Sequence, residues 1–100
     1  MCIRDRLAAA DLVVNATSVG MGTDRSVPCD TELLHEGQAV ADLVYHPLET
    51  TLVRDATARG ARSANGVSML VHQAAVALER WTGQQAPVGA MSRAVAAAIR

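Results

Sequence analysis

The sequence predicts an α/β fold: part of an open parallel sheet, two to three strands wide, with flanking helices and a C-terminal helical pair. Three observations predict it. Two short runs rich in β-branched residues, DLVVNA (11–16) and QAVADLVY (38–45), end in turn formers or proline, as buried strands do. A helical pattern separates the second run from a brief third one, ARSAN (61–65), and strand–helix–strand order favours parallel pairing through a crossover helix. From Gly66 onward, apolar residues recur at helical spacing.

The elements follow in order. The opening MCIRDR has no periodicity and joins abruptly to LAAADLVVNATS, so residues 1–6 read as a non-native leader or as an ordinary chain terminus. GMGTDRSVPCD (20–30) is loop, and TELLHEG is a short helical turn closed by Gly37. Pro47 stops the second strand and prepares a helix in which Leu48, Leu52 and Ala56 stand at i, i+4 and i+8, with Gly60 as the C-cap. In the long helix after Gly66, a helical wheel gathers Val67, Leu70, Val71, Ala74, Leu78 and Trp81 on one stripe, with Ser68, His72 and Glu79 opposite. Gln73 falls at the edge of that stripe, where a polar group would border a cleft. Gly83 ends the helix, and Pro87 opens a last one carrying Val88, Met91 and Val95. Residues 7–83 are expected to form one α/β portion, and 84–100 a helix that packs toward a further domain.

Totals narrow the function. One hundred residues make one small domain, burying about two-thirds of the surface its unfolded form exposes. At 50% hydrophobic and 19% charged, the composition is that of a globular chain and not of a disordered tail. A net charge of −1 without a basic cluster gives nucleic acid and acidic membranes nothing to bind. No apolar run suits a bilayer span. Cys2 and Cys29 match no metal or redox spacing, and His35, His46 and His72 are scattered, so no metal is expected and a reducing cytoplasm fits best. All nine basic residues are arginine, so no lysine is available for chemistry.

Ligands of open parallel sheets bind beyond the carboxyl ends of the strands. Those ends are NATSVGMG (15–22), with an amide, two hydroxyls and two glycines, and YHP (45–47), with a phenol. The helix start at Gly66 adds backbone N–H groups. Each feature also has a plainer reading. Asn15, Thr17 and Ser18 can simply form a turn, and Tyr45 can be an edge aromatic with its hydroxyl in water. On residues alone, Gln73 reads as a hydrogen bonder to a neighbouring loop before it reads as a ligand group, Asp42 ends no recognisable triad, and Cys29 reads as an inert small residue. Neither G-x-G-x-x-G nor a P-loop occurs.

DLVVNATSVGM, ADLVYHPLETTLV and ANGVSMLVHQAA, in this order and spacing, resemble the C-terminal part of the shikimate dehydrogenases over residues 10 to 100. The resemblance implies a Rossmann-like NADP-binding part of an oxidoreductase that reduces 3-dehydroshikimate to shikimate, in the chorismate pathway to aromatic amino acids. It implies cofactor contacts at Asn15, Ala16, Thr17, Ser18, Met21, Leu43, Gly66 and Met69, and contacts to the shikimate skeleton at Tyr45 and Gln73. The family's catalytic lysine and aspartate, its phosphate loop and its cofactor-selecting basic residues lie in segments that have no counterpart here. The chain is therefore expected to be a fragment, without catalytic residues and inactive alone. Thr51 departs from the proline common at that position, a small change at a helix start. A quinate/shikimate dehydrogenase paralogue, or a non-catalytic nucleotide-binding or interaction module, remain the alternative readings; NADP against NAD preference and oligomeric state stay open.

Overall fold

A computed structural model describes residues 3–99. Its elements are α1 (Ile3–Ala9), β1 (Leu12–Asn15), a 3₁₀ turn (Thr31–Leu33), β2 (Ala39–Asp42), α2 (Thr51–Ala58), β3 (Arg62–Ala64), α3 (Val67–Thr82) and α4 (Val88–Ile99). Among the described residues, three strands form one parallel sheet in the order β1-β2-β3. Leu12 pairs with Ala39 and Asn15 with Asp42, while Ala39 and Ala41 pair with Arg62 and Ala64 on the other side. The α/β class and the parallel sheet match the sequence expectation. The chain divides after Gly66 into two compact units.

In the first unit, β2 is central and alternates: Val40 and Asp42 are buried, Ala39 and Ala41 less so. Val40 packs with Leu7, Leu34, Leu52, Ala56 and Ala61, and the half-buried Val13, Val27, Leu33 and Cys29 close around them. Leu52 and Ala56 lie one turn apart on α2, so a single helix face reaches this core. Burying a leucine side chain of this kind contributes about 2 kcal/mol. The Thr50 hydroxyl caps α2 by accepting from the Val53 N–H at 3.2 Å, and Gly60 ends it with φ +85°.

Two boundaries differ from expectation. The second strand ends at Asp42, not Tyr45, because the Asp42 side chain turns back onto the Val44 N–H at 3.0 Å and takes that residue out of the ladder. Helix α2 begins at Thr51, not at Pro47, since the cap is Thr50; Leu48 stays outside the helix and exposed. Thr51 therefore occupies the first helical position, where proline is also well tolerated. Met1 and Cys2 of the expected leader lie outside the described residues, whereas Ile3–Arg6 begin α1. That helix is tied down by the Gln38 amide, which donates to the carbonyls of Leu7 at 2.7 Å and Ala10 at 2.9 Å.

The second unit is a pair of helices. Helix α3 ends at Gly83, with φ +68°, and the Ala86 N–H donates to Glu79 Oε2 at 2.8 Å, which pins the turn before α4. Val71 and Ala75 are the buried residues of α3, Leu70 and Leu78 are half-buried, and Trp81 is 81% exposed. The expected apolar stripe is thus buried at its centre and open at Trp81, in the last turn of the helix. No helix among the described residues is long and apolar enough to cross a membrane.

Candidate functional site

The carboxyl ends of β1 and β2 are joined by buried polar side chains. Asn15 Nδ2 donates to Asp42 Oδ1 at 3.0 Å and to the Val19 carbonyl at 3.0 Å. Its Oδ1 accepts from the Thr17 N–H at 3.1 Å and from the Thr17 hydroxyl at 2.6 Å. The Thr17 oxygen then accepts from the Val19 N–H at 3.1 Å. Asn15 and Thr17 thus build the turn that leaves β1 and spend their hydrogen bonds on it. This is the plainer of the two readings their sequence allowed, and it leaves Ala16 and Ser18 exposed beside them.

The loop is closed by further contacts. Gly20, with φ +95°, and Gly22, with φ +65°, occupy backbone conformations that side chains resist. The Gly22 N–H donates to the His46 carbonyl at 2.8 Å, so the Met21–Gly22 turn is tied to the segment that follows β2. Asp24 accepts from the Gly20 N–H at 3.1 Å, from the Ser26 N–H at 2.9 Å and from the Ser26 hydroxyl. The Ser26 hydroxyl, and then the Ser26 and Gly20 N–H groups, hold the Asp24 carboxyl below its ordinary value. Sequence reading passed over Asp24 and Thr50 and found no triad for Asp42. Asp42 carried one signal: it is the charged residue of a strand otherwise made of apolar ones.

Leu43, Tyr45 and Gly66 lie at the same end of this unit. The Leu43 N–H donates to the Asn15 carbonyl at 3.0 Å, extending the β1–β2 ladder by one bond. Tyr45 and Met21 are exposed. The Gly66 N–H is not free for a ligand, because it donates to the Val44 carbonyl at 3.0 Å. A Cβ on Gly66 would meet the Leu43 and Val44 backbone, so protein packing already requires glycine there.

On α3, taken by itself, Met69 is exposed, and so is Gln73, whose Nε2 donates to the Leu70 carbonyl at 3.1 Å. Gln73 is therefore not a buried amide short of a partner. It is a surface side chain resting on its own helix.

A cavity of about 390 Å³ opens at the start of α2, between Gly22 and Arg25 on one side and Pro47, Thr51 and Arg54 on the other. The expected cofactor and substrate residues do not line it. The Cys29 thiol is pushed up by burial and then by the neighbouring Asp30 charge, which suits an inert cysteine. No cluster of three or more His, Cys, Asp or Glu side chains fit to hold a metal occurs among the described residues.

Comparison with known proteins adds to this geometry. The family model described as the Shikimate 5'-dehydrogenase C-terminal domain matches residues 66–96. The shikimate dehydrogenase (NADP(+)) of Geobacillus kaustophilus is 49% identical over 96 residues, covering 95% of this chain and 35% of that protein. Its counterpart in Halorubrum lacusprofundi is 48% identical over 95 residues, again covering 95% of this chain and 35% of the relative. Among solved structures, shikimate 5-dehydrogenase from Thermus thermophilus in complex with NADP(H) and shikimate superposes with a TM-score of 0.85 at 38% identity, over 93% of this chain and 36% of that one. Quinate dehydrogenase from Corynebacterium glutamicum in complex with NAD superposes at 0.89, also at 38% identity, over 95% and 34%. The chain spans about a third of the length of the curated relatives it matches. Over nearly its whole length, then, the chain is similar in sequence and in Rossmann-like fold to one third of a shikimate dehydrogenase, and residues 66–96 match the model of that family's C-terminal domain.

Proposed function

We propose that this chain belongs to an NADP-dependent oxidoreductase that interconverts 3-dehydroshikimate and shikimate, and that residues 7–83 belong to its dinucleotide-binding part. The 49% identity to a shikimate dehydrogenase (NADP(+)) across 95% of the chain carries this reading. The surface chemistry agrees with it. Ala16, Ser18, Met21 and Tyr45 are exposed at the strand ends and offer neutral polar and apolar surface, which fits a flat amide-bearing ring better than a phosphate. We therefore assign the nicotinamide end of the cofactor to the loop 15–21, together with Leu43 and Gly66; Met69, on α3, is assigned to the cofactor by the family resemblance alone. Asn15, Thr17 and Gly66 would serve by holding backbone in place, since their own polar groups are engaged within the protein.

The cofactor supplies the hydride. Tyr45 and Gln73 are assigned to substrate: a phenol hydroxyl and a carboxamide, each exposed, suit the hydroxyls and carboxylate of a shikimate skeleton. By the family resemblance, the proton of the carbonyl-to-alcohol step is assigned to a lysine and an aspartate outside this chain, which itself has no lysine. Its nine basic residues are all arginine, and a guanidinium does not give up its proton. An aqueous compartment of the cytoplasm suits such an enzyme. A second reading, oxidation of quinate, draws support from the TM-score of 0.89 to a quinate dehydrogenase.

The test is a steady-state assay of NADP+ reduction by a protein of family length that carries this sequence. Turnover with shikimate and not with quinate supports the first reading. Turnover with quinate favours the second, and turnover with neither sinks both. The 100-residue chain alone is expected to show no turnover.

A further inference from the structure

We propose that Asp42 is the positioning residue for the loop 16–22, acting through the Asn15 side chain without touching a ligand. Asp42 is 1% exposed, so neither cofactor nor substrate can reach its carboxylate from solvent. Its reach is internal. Oδ1 accepts from Asn15 Nδ2 and from the Val44 N–H, both at 3.0 Å, and Oδ2 accepts from the Thr50 hydroxyl at 2.7 Å.

The direction of these bonds carries the inference. An asparagine amide has two ends of nearly equal shape, and the turn after β1 works with only one orientation. Oδ1 must face the Thr17 N–H and hydroxyl, and Nδ2 must face the Val19 carbonyl. Turned over, the amide would set donor against donor at Thr17 and acceptor against acceptor at Val19. A carboxylate can only accept, so Asp42 favours the same sense as the Thr17 and Val19 backbone and anchors Asn15 Nδ2 to β2. Thr50 holds Asp42 in turn: its oxygen accepts from the Val53 N–H, which leaves the hydroxyl hydrogen for Asp42 Oδ2. The N-cap of α2 is therefore relayed through two buried side chains to the loop that leaves β1. The value of this loop as a cofactor border rests on the functional reading above; the positioning does not.

The experiment uses the full 100-residue chain and follows amide hydrogen exchange. In Asp42→Asn one end of the side chain can only donate and the charge is gone, so Asn15 Nδ2, the Val44 N–H and the Thr50 hydroxyl no longer share two acceptor oxygens. Exchange at Thr17, Val19 and Met21 should rise about tenfold or more, while Ala39 and Arg62, bonded at the far end of the sheet, should change by less than about twofold. Asp42→Ala should do more in the same amides; if it fails to fold, Asp42→Asn still decides. In a double-variant cycle, Asp42→Asn should add little to Asn15→Ala, because both break one relay. Unchanged loop exchange in Asp42→Asn, or additive effects in the cycle, would overturn the proposal. Addition of NADP+ separates the two ideas. If a protein of family length that carries this sequence shows no amide shifts at 16–22 on NADP+ addition, the cofactor reading of the loop fails, while the exchange result stands on its own. If shifts occur, Asp42→Asn should weaken NADP+ binding with the melting temperature of the sheet nearly kept.

Discussion

A Cβ placed on Gly66 would stand 2.1 Å from the Leu43 carbonyl oxygen. That distance is far inside any tolerable contact, and the obstacle is backbone, which cannot swing aside. The same glycine donates its N–H to Val44, so the segment after β2 and the segment after β3 are locked together at one peptide.

Gly66→Ala should therefore destabilise the chain before any ligand is considered. Overpacking against backbone typically costs about 1–3 kcal/mol, and this contact belongs at the upper end of that range. A urea titration of the two proteins gives the difference. A midpoint unchanged by the substitution would mean that the Leu43–Val44 turn moves freely, and the packing account would be wrong. The cofactor contact that the resemblance implies at Gly66 is not needed to explain a glycine there.

Leu52→Ala probes the core itself. Leu52 is 1% exposed and lies on the single α2 face that meets Val40 and Leu34. Deleting its three carbons should cost about 2–5 kcal/mol, a large share of what a domain of this size has to spare. The check is again the denaturation midpoint, with Leu48→Ala as the comparison. Leu48 is exposed and outside the helix, so its loss should change stability by less than about 0.5 kcal/mol. Equal effects would return Leu48 to the core, as its spacing in the sequence implied.

That contrast shows what the sequence can and cannot convey. The strands were legible because β-branched runs bounded by turn formers have few other uses, and the helix ends were legible because Gly60 and Gly83 stop helices by a local rule. Leu48 was misplaced because helical spacing does not say where a helix starts; the Thr50 side chain decides that, through the Val53 N–H. Trp81 lies on the expected stripe yet is exposed, because periodicity defines a stripe but not how far along it a partner extends. Asp42 was opaque for a different reason. Its meaning depends on Asn15, 27 positions earlier, and on Thr50, 8 positions later, and no local pattern joins the three. Gln73 drew attention as a polar residue among apolar ones, yet its present partner is only its own helix.

Asp24 makes the closure of the loop dependent on pH. Its carboxyl is held below the ordinary value of 3.8 by the Ser26 hydroxyl first and by the Ser26 and Gly20 N–H groups next. A depressed folded-state value means that the stabilising contribution is complete above the unfolded value and is lost as pH falls through the folded one. The Gly20 and Ser26 amide shifts should accordingly be flat from neutrality down to about pH 4 and move only below it. Asp24→Asn should abolish that titration. A Gly20 midpoint at or above the ordinary aspartate value would show that the bonds do not favour the charged form.

Gln73 gives the sharpest separation between a structural and a functional role. Its amide is exposed, and its bond to the Leu70 carbonyl, at 3.1 Å, runs back onto α3, so removing it orphans no buried group. Gln73→Ala should leave stability within about 0.5 kcal/mol of the parent, and alanine is the better helix former. In an active protein of family length, the proposed contact to the substrate predicts the opposite sensitivity in kinetics. Loss of one hydrogen bond to a bound polar ligand should cost about 1–3 kcal/mol in kcat/KM for shikimate, roughly 5- to 150-fold. The KM for NADP+ should hardly move, because the lost group belongs to the other ligand. Tyr45→Phe should follow the same pattern, since only a hydroxyl is removed from an exposed ring. Varying each substrate in turn separates the two constants. Wild-type shikimate kinetics in Gln73→Ala, alongside a lowered melting temperature, would make the residue a helix-surface hydrogen bonder and nothing more.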